Sequence, residues 1–317
     1  VIIHGFRDTA RSVAAQKAGD PMAENSLVKD LIEAGIHFGQ RASNWNPKMG
    51  QFVYSKRNGI HIIDIKETVK GLLLAKKFLT RVVADGKDVC FVGTKRQAKT
   101  VLEERVRAVG MHTVTERWLG GTLTNFRTIR SRLKRLEELE TIEQESNFAG
   151  YSKKMESQLR RELRKIKRNL DGLRNMDKLP GAMVVIDVRR ETTAIREARK
   201  LGIPTVCLID TDGDPELADI AIPGNDDSMR SVDVVVRELC KAISDGKQIR
   251  DERRGSGPDT DESGDGQSDR PRRSRRAQFR ADDAGSAPEG DEGDADTGAE
   301  STPRSEAVVN PGAVRAE

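Results

Sequence analysis

Apolar positions along this chain repeat in three different ways. Asp88 to Gly93, Pro180 to Asp187 and Pro204 to Asp210 are short runs, apolar almost without interruption, that end in Gly or Asp; this predicts strands buried on both faces of a parallel sheet. Around them the spacing becomes helical over Ser26 to Phe38, with Ser26 as cap, over Val69 to Val83, over Arg96 to Val109 with Gly110 as the stop, and over Thr192 to Leu201 with Gly202 closing it. The segment 180–210 is therefore a β-α-β unit, whose crossover requires parallel pairing. Ile220 to Pro223 reads as a short last strand, and a last helix from Asp227 or Ser228 to about Ser244 turns Val232, Val235, Val236, Leu239 and Ile243 inward. Nearer the start, Gln51 to Ser55 and Ile60 to Ile63 read as a hairpin turning at Asn58-Gly59.

The third repeat is heptad-like. Phe126, Ile129, Leu133 and Leu136, then Leu159, Leu163, Ile166, Leu170 and Leu173, form two stripes separated by Asn147-Phe148-Ala149-Gly150-Tyr151. They predict an antiparallel helical hairpin, a coiled coil inserted at about 126–176. Its outer face holds nine cations (Lys153, Lys154, Arg160, Arg161, Arg164, Lys165, Lys167, Arg168 and Arg174) against Glu156, Glu162 and Asp171.

Composition sets the limits of the folded part. Hydrophobic residues make up 36% of the 317 positions and charged residues 33%. Residues 251–317 hold 10 Arg, no Lys and 17 Asp plus Glu, a net of −7, so a total of +4 leaves +11 on residues 1–250. A body that basic suits a polyanionic partner. The last segment is too poor in apolar residues to offset the entropy of ordering and reads as a disordered acidic tail containing the Arg-rich run 270–276. Residues 1–21 read as a disordered extension ahead of Met22, which leaves 22–250 as the folded domain. Cys90, Cys207 and Cys240 are widely spaced and read as buried thiols of a reducing compartment, and neither they nor the four His fall at metal-ligand spacing. No apolar run reaches the roughly 18 residues of a membrane span.

Two loops have the chemistry of a nucleic-acid contact. Arg41-Ala42-Ser43-Asn44-Trp45-Asn46-Pro47-Lys48 and the turn Arg117-Trp118-Leu119-Gly120-Gly121 to Arg127 each combine cations, amides and one Trp, the groups that bind phosphates and stack on exposed bases. Packing as a core plug is the other role open to Trp118. The junction Val92-Gly93-Thr94-Lys95-Arg96 lies where open α/β sheets bind ligands, but neither phosphate-cradling glycine motif is present at it. One enzyme lookalike stands out. The strand Val206 to Ile209 followed by Asp210-Thr211-Asp212-Gly213-Asp214 resembles the first motif of magnesium-dependent phosphatases of haloacid-dehalogenase type, with Asp210 as nucleophile and Asp212 as acid and base. Asp226-Asp227 would be the distal acidic pair, but it follows too soon after Asp212 for that family, and a polar turn leaving a buried strand explains the same residues.

A different resemblance covers most of the chain. Ala34 to Gly39, Trp45 to Met49, Arg57 to Asp64, Phe91 to Ala98, Arg117 to Phe126, Glu197 to Pro204 and Ile222 to Asp227 are similar, in order and without a missing block from Ser26 to Gly246, to the signatures of the bacterial small-subunit ribosomal protein 2 family. Gln40 departs from it, where that family usually has His, and so does Asp212-Gly213, where it usually has Asn-Cys. The resemblance implies a three-layer α/β/α domain of flavodoxin-like type with a protruding helical hairpin and a small N-terminal region. It also implies no catalysis, no cofactor, no metal and no small-molecule substrate. The implied role is structural and cytoplasmic: contact with small-subunit rRNA and neighbouring proteins near the head-body junction, late entry into assembly, and help in holding ribosomal protein 1. Carried onto this chain, the RNA-binding candidates are Arg41, Asn44, Trp45, Lys48, Lys95, Arg96, Arg117, Trp118, Asn125, Arg127, Arg130, Lys153, Lys154, Arg160, Arg161, Arg164, Lys165 and Arg168.

Overall fold

The computed structural model describes residues 21–146, 148 and 150–255; the readings of the extension and of the tail beyond residue 255 lie outside that range. The described chain begins with α1 (Pro21–Glu33), followed by a small antiparallel sheet of β1 (Phe38–Arg41), β2 (Val53–Arg57) and β3 (Ile60–Ile63) in the order β1-β3-β2. The β2–β3 hairpin turns at Asn58 and Gly59, both left-handed at φ 50° and 77°, as a two-residue turn between twisted strands requires. Helix α1 departs from the reading over Ser26 to Phe38: it starts at Pro21, so Ser26 lies within it and is not its cap. Gly35, at φ 78°, ends the helical path. Ile36 and Phe38, which fit a helical spacing in sequence, pass into a loop and into β1.

Five helices of the larger layered domain follow as α2 (Ile65–Ala84), α3 (Arg96–Ala108), α4 (Phe126–Ser146), α5 (Lys153–Leu170) and α6 (Thr192–Leu201), with α7 (Met229–Gly255) last. Interleaved with them are β4 (Val89–Val92), β5 (His112–Val114), β6 (Ala182–Ile186), β7 (Thr205–Ile209) and β8 (Ile220–Pro223), all parallel, in the order β5-β4-β6-β7-β8. Successive side chains of each strand enter opposite layers. Val89, Phe91, Val184, Val206 and Leu208 join a core with α2, α3 and α7, while Cys90, Val92, Met183, Val185, Cys207 and Ile209 join another with α6 and the near ends of α4 and α5. Burial on both faces explains the uninterrupted apolar runs. The three thiols are buried, and burial pushes each up to about 12.

The heptad-like positions divide between two clusters. Ile129, Leu133, Leu170 and Leu173 pack into the second core, and Leu136, Leu139, Phe148 and Leu163 bury in a small cluster of their own. At the return of this segment to the sheet, a Cβ on Gly172 would lie 2.1 Å from the Thr113 carbonyl oxygen, so only glycine lets the backbone rest on β5. Helix α7 runs well past the expected end near Ser244. Its polar last turns are held by Lys247, which donates to the Val109 carbonyl at 2.5 Å, and by an Arg253–Asp85 pair at 3.9 Å. Among the described residues, no helix is long and apolar enough to cross a membrane.

Candidate nucleic-acid interface

The turn between β5 and α4 is built around a carboxylate that sequence reasoning missed. Glu197, buried on α6, accepts hydrogen bonds from the backbone N–H groups of Gly121 (2.7 Å), Leu123 (3.0 Å) and Thr124 (3.2 Å) and from the Trp118 indole N–H (3.1 Å). Burial opposes its charge, but these donors prevail and hold the carboxyl below its ordinary value. Trp118 is 7% exposed, so of its two possible roles the structure gives packing, and its ring is not presented for stacking. Arg117, Asn125 and Arg127 lie on the outside of the turn. Arg130 is also exposed, but it donates to the Asp177 carbonyl and carboxylate at 2.9 Å each. The signal for Glu197 was a single acid beside Ala194, Ile195 and Ala198 on the inward side of α6.

The loop 41–48 is docked onto the segment that follows β7. The Asn46 N–H donates to the Thr211 carbonyl at 2.8 Å and the Gln40 N–H to the Thr211 hydroxyl at 2.9 Å. Lys48 pairs with Glu216 (2.6 Å) and Asp214 (3.0 Å), and these carboxylates raise its pKa. This candidate therefore pins its own loop, and a phosphate would have to displace two carboxylates to reach it. The Asn44 amide oxygen accepts from Arg189 at 3.4 Å. Trp45 stays 37% exposed with its inner face stacked on His61 at 4.7 Å, and Arg41 is on the surface.

At the carboxyl ends of the strands, Asp210, Asp226 and Asp227 have carboxylate oxygens within 4.8 Å of one another. The Lys95 ammonium stands among them, 2.8 Å from Asp226, 2.6 Å from Asp227 and 3.8 Å from Asp187. Burial first, and then the neighbouring Asp187, push Asp226 up to about 7, while burial takes Asp210 to about 6. Lys95, with its side chain 14% exposed, serves as counter-charge to this internal cluster, while Arg96 beside it is exposed. Gln40 closes the cluster from the small sheet, donating to Asp210 (3.2 Å) and Asp227 (2.5 Å). Asp212 points elsewhere and pairs with Arg189 at 3.0 Å. The two acids of the phosphatase reading are held by different partners, and that reading has no support. The Thr94 N–H and hydroxyl at the β4–α3 junction are engaged by Glu191 at 3.0 and 2.5 Å.

Helix α5 differs in displaying its charge. Three of the nine cations are tied down by acids: Arg160 pairs with Glu156 (2.9 Å), Lys167 with Glu140 (3.1 Å), and Arg174 with Glu140 (2.7 Å) and Asp171 (2.8 Å). Arg174 and Lys167 hold Glu140 down at about 2. The other six, Lys153, Lys154, Arg161, Arg164, Lys165 and Arg168, are exposed, and among the described residues none of them pairs with a carboxylate. Lys154, Arg161, Lys165 and Arg168 follow one another at spacings of about two turns, one turn and one turn, so they form a row opposite buried Leu163 and Leu170. At its foot, Arg168 borders a polar cleft of about 230 Å³ with Lys99 and Arg107, which are themselves paired with Glu116 and Asp171 in its lining.

Fold and surface together suggest a class: a parallel α/β domain whose strand-end acids are held by Lys95 and Gln40 and whose cations without acid partners, among the described residues, stand in a row on α5, a layout that suits nucleic-acid binding. Comparison with known proteins supplies the family. Residues 31–246 match the family described as Ribosomal protein S2, and the chain belongs to that family. It is 57% identical over 223 residues to the small ribosomal subunit protein uS2 of Rhodopirellula baltica, covering 70% of this chain and 86% of that protein. With the small ribosomal subunit protein uS2c of Guillardia theta it shares 46% identity over 225 residues, 71% of this chain and 96% of the relative. With uS2c of Rhodomonas salina it shares 48% over 219 residues, 69% and 90%.

Proposed function

We propose that this chain is a structural, non-catalytic constituent of the small ribosomal subunit that binds small-subunit rRNA and neighbouring ribosomal proteins. The observation that carries the reading is the row of exposed, acid-free cations along α5, to which Arg117, Arg127 and Arg41 add exposed cations on loops elsewhere. Family membership supplies the setting. In this reading the flavodoxin-like domain, residues 22–250, is a rigid body between rRNA elements near the head-body junction. Helices α4 and α5 form an antiparallel coiled-coil hairpin that reaches along the RNA, and the protein enters late in assembly and helps hold ribosomal protein 1. Arg and Lys neutralise phosphates, a term that releases counterions and is steep in salt.

The test is a sedimentation-binding titration of the full chain on small subunits from which this protein has been stripped, at 50 to 200 mM salt. About six phosphate contacts give a log–log slope of about −4 to −5 and a loss of roughly three orders of magnitude over that range. Affinity unchanged by salt would remove the reading.

A further inference from the structure

Between α4 and α5, one described residue, Phe148, is held by more contacts than a connecting turn requires. Phe148 is fully buried yet left-handed at φ 63°, a conformation costly for an aromatic residue that persists only where its surroundings enforce it. Its ring is clamped by Leu136, Leu139 and Leu163 and by the Arg160 guanidinium 5.4 Å above its centroid. The Tyr151 N–H donates to the Phe148 carbonyl at 3.0 Å, and the Ser152 side chain caps α5 by accepting from the Met155 N–H at 3.4 Å. This scaffold holds out one aromatic ring. Tyr151 is 41% exposed and its ring is tilted against that of Phe148, centroids 6.5 Å apart at 58°, an aromatic contact that leaves part of the ring in solvent. Beside it stand Lys153 and Lys154, exposed and without a carboxylate partner among the described residues, in a first turn where the helix dipole disfavours cations. Glu156 in the same turn suits the dipole, but it is engaged by Arg160, so a polyanion would supply the charge these two ammonium groups lack.

An aromatic ring flanked by ammonium groups suits a single-stranded nucleotide, whose base has a π-face and whose phosphates carry the charge; duplex RNA offers no such unstacked face. Resting on the rRNA-binding reading, we propose that Tyr151 stacks on an unpaired rRNA base while Lys153 and Lys154 bind the phosphates beside it, so that the far end of the α4–α5 segment reads a loop or bulge and the row on α5 follows the backbone.

Full-length wild type, Tyr151→Ala, Tyr151→Phe and the double variant Lys153→Ala/Lys154→Ala would be titrated against small subunits stripped of this protein over a range of salt, with far-UV circular dichroism as the folding control. Stacking predicts that Tyr151→Ala weakens binding about 5- to 150-fold, the equivalent of about 1–3 kcal/mol per base, without changing the salt slope. Tyr151→Phe stays within about twofold, and the double lysine variant makes the slope shallower by about one to two. Ultraviolet cross-linking of assembled subunits, read by mass spectrometry, should join Tyr151 to an unpaired nucleotide. Tyr151→Ala binding like wild type, Tyr151→Phe losing as much as Tyr151→Ala, or Tyr151 cross-linking only to protein would each overturn the proposal. Failure of the wild type to bind the stripped subunits at all would instead remove the functional reading beneath it.

Discussion

Replacing Glu197 by Ala deletes the acceptor on which the β5–α4 turn is folded. Of its donors, the Leu123 N–H and the Trp118 indole N–H are buried, whereas the Gly121 and Thr124 N–H groups are part-buried and water can reach them in the variant. A buried donor left without a partner costs about 1–3 kcal/mol, so two cost about 2–6 kcal/mol; the buried charge that is removed along with the acceptor brings the net to about 2–4 kcal/mol. That is a large share of the roughly 5–15 kcal/mol of a typical domain. Glu197→Gln keeps one acceptor oxygen but turns an amide N–H₂ toward further donors, and lies between the two. Urea unfolding at pH 7, followed by tryptophan fluorescence, measures the change, with the exposed Arg196→Ala as control. The pH dependence has a definite sign. The folded-state carboxyl titrates below its usual 4.5, so its stabilisation is present above about that pH and is lost as pH falls through the folded value, and the variant lacks this acid limb. A Glu197→Ala protein within about 0.5 kcal/mol of wild type, with unchanged emission, would refute the reasoning.

Lys95→Met removes the positive charge among Asp187, Asp226 and Asp227 and should destabilise by about 3–5 kcal/mol. Asp226 and Asp210 titrate near 7 and 6, raised above their unfolded values; protonation favours the fold at low pH and that contribution is lost as pH rises through these values. The deficit of Lys95→Met should accordingly be largest above pH 7 and shrink toward pH 5 in parallel melts. Gly172→Ala drives a Cβ onto the Thr113 carbonyl, and at about 1–3 kcal/mol for overpacking it should raise hydrogen exchange in β5 and the near ends of α4 and α5 while β6, β7 and β8 stay protected. The quadruple variant Lys154→Ala/Arg161→Ala/Lys165→Ala/Arg168→Ala leaves the buried face of α5 intact; its melting temperature should hold, and its rRNA salt slope should fall by about three to four.

What could be read before the structure was whatever a local pattern encodes. Cys90 and Phe91 enter opposite cores, so both neighbours had to be apolar, and the parallel sheet was visible as unbroken runs. Asn58-Gly59 and Gly202 marked a turn and a helix stop because their left-handed backbone favours those residues. β5 was not visible: a three-residue edge strand beginning His112-Thr113 has no period to detect. Nor were partners distant in sequence. Glu197 meets Gly121 across 76 residues and Lys95 meets Asp226 across 131, and nothing local distinguishes a lysine that binds phosphate from one that neutralises buried acids. For the same reason the sequence showed the basic excess on and just after α5 but not that Arg160, Lys167 and Arg174 were already engaged by Glu156, Glu140 and Asp171.

The central claim, that this chain is held on the small subunit through the cations of α5, is tested most directly by following tagged wild type and the quadruple variant through sucrose gradients of a cell lysate at low and high salt. The account predicts wild type co-migrating with small subunits at low salt and partly released at high salt, with the folded variant released at the lower salt. Wild type migrating as free protein in both gradients, or a variant retained as firmly as wild type, would contradict it.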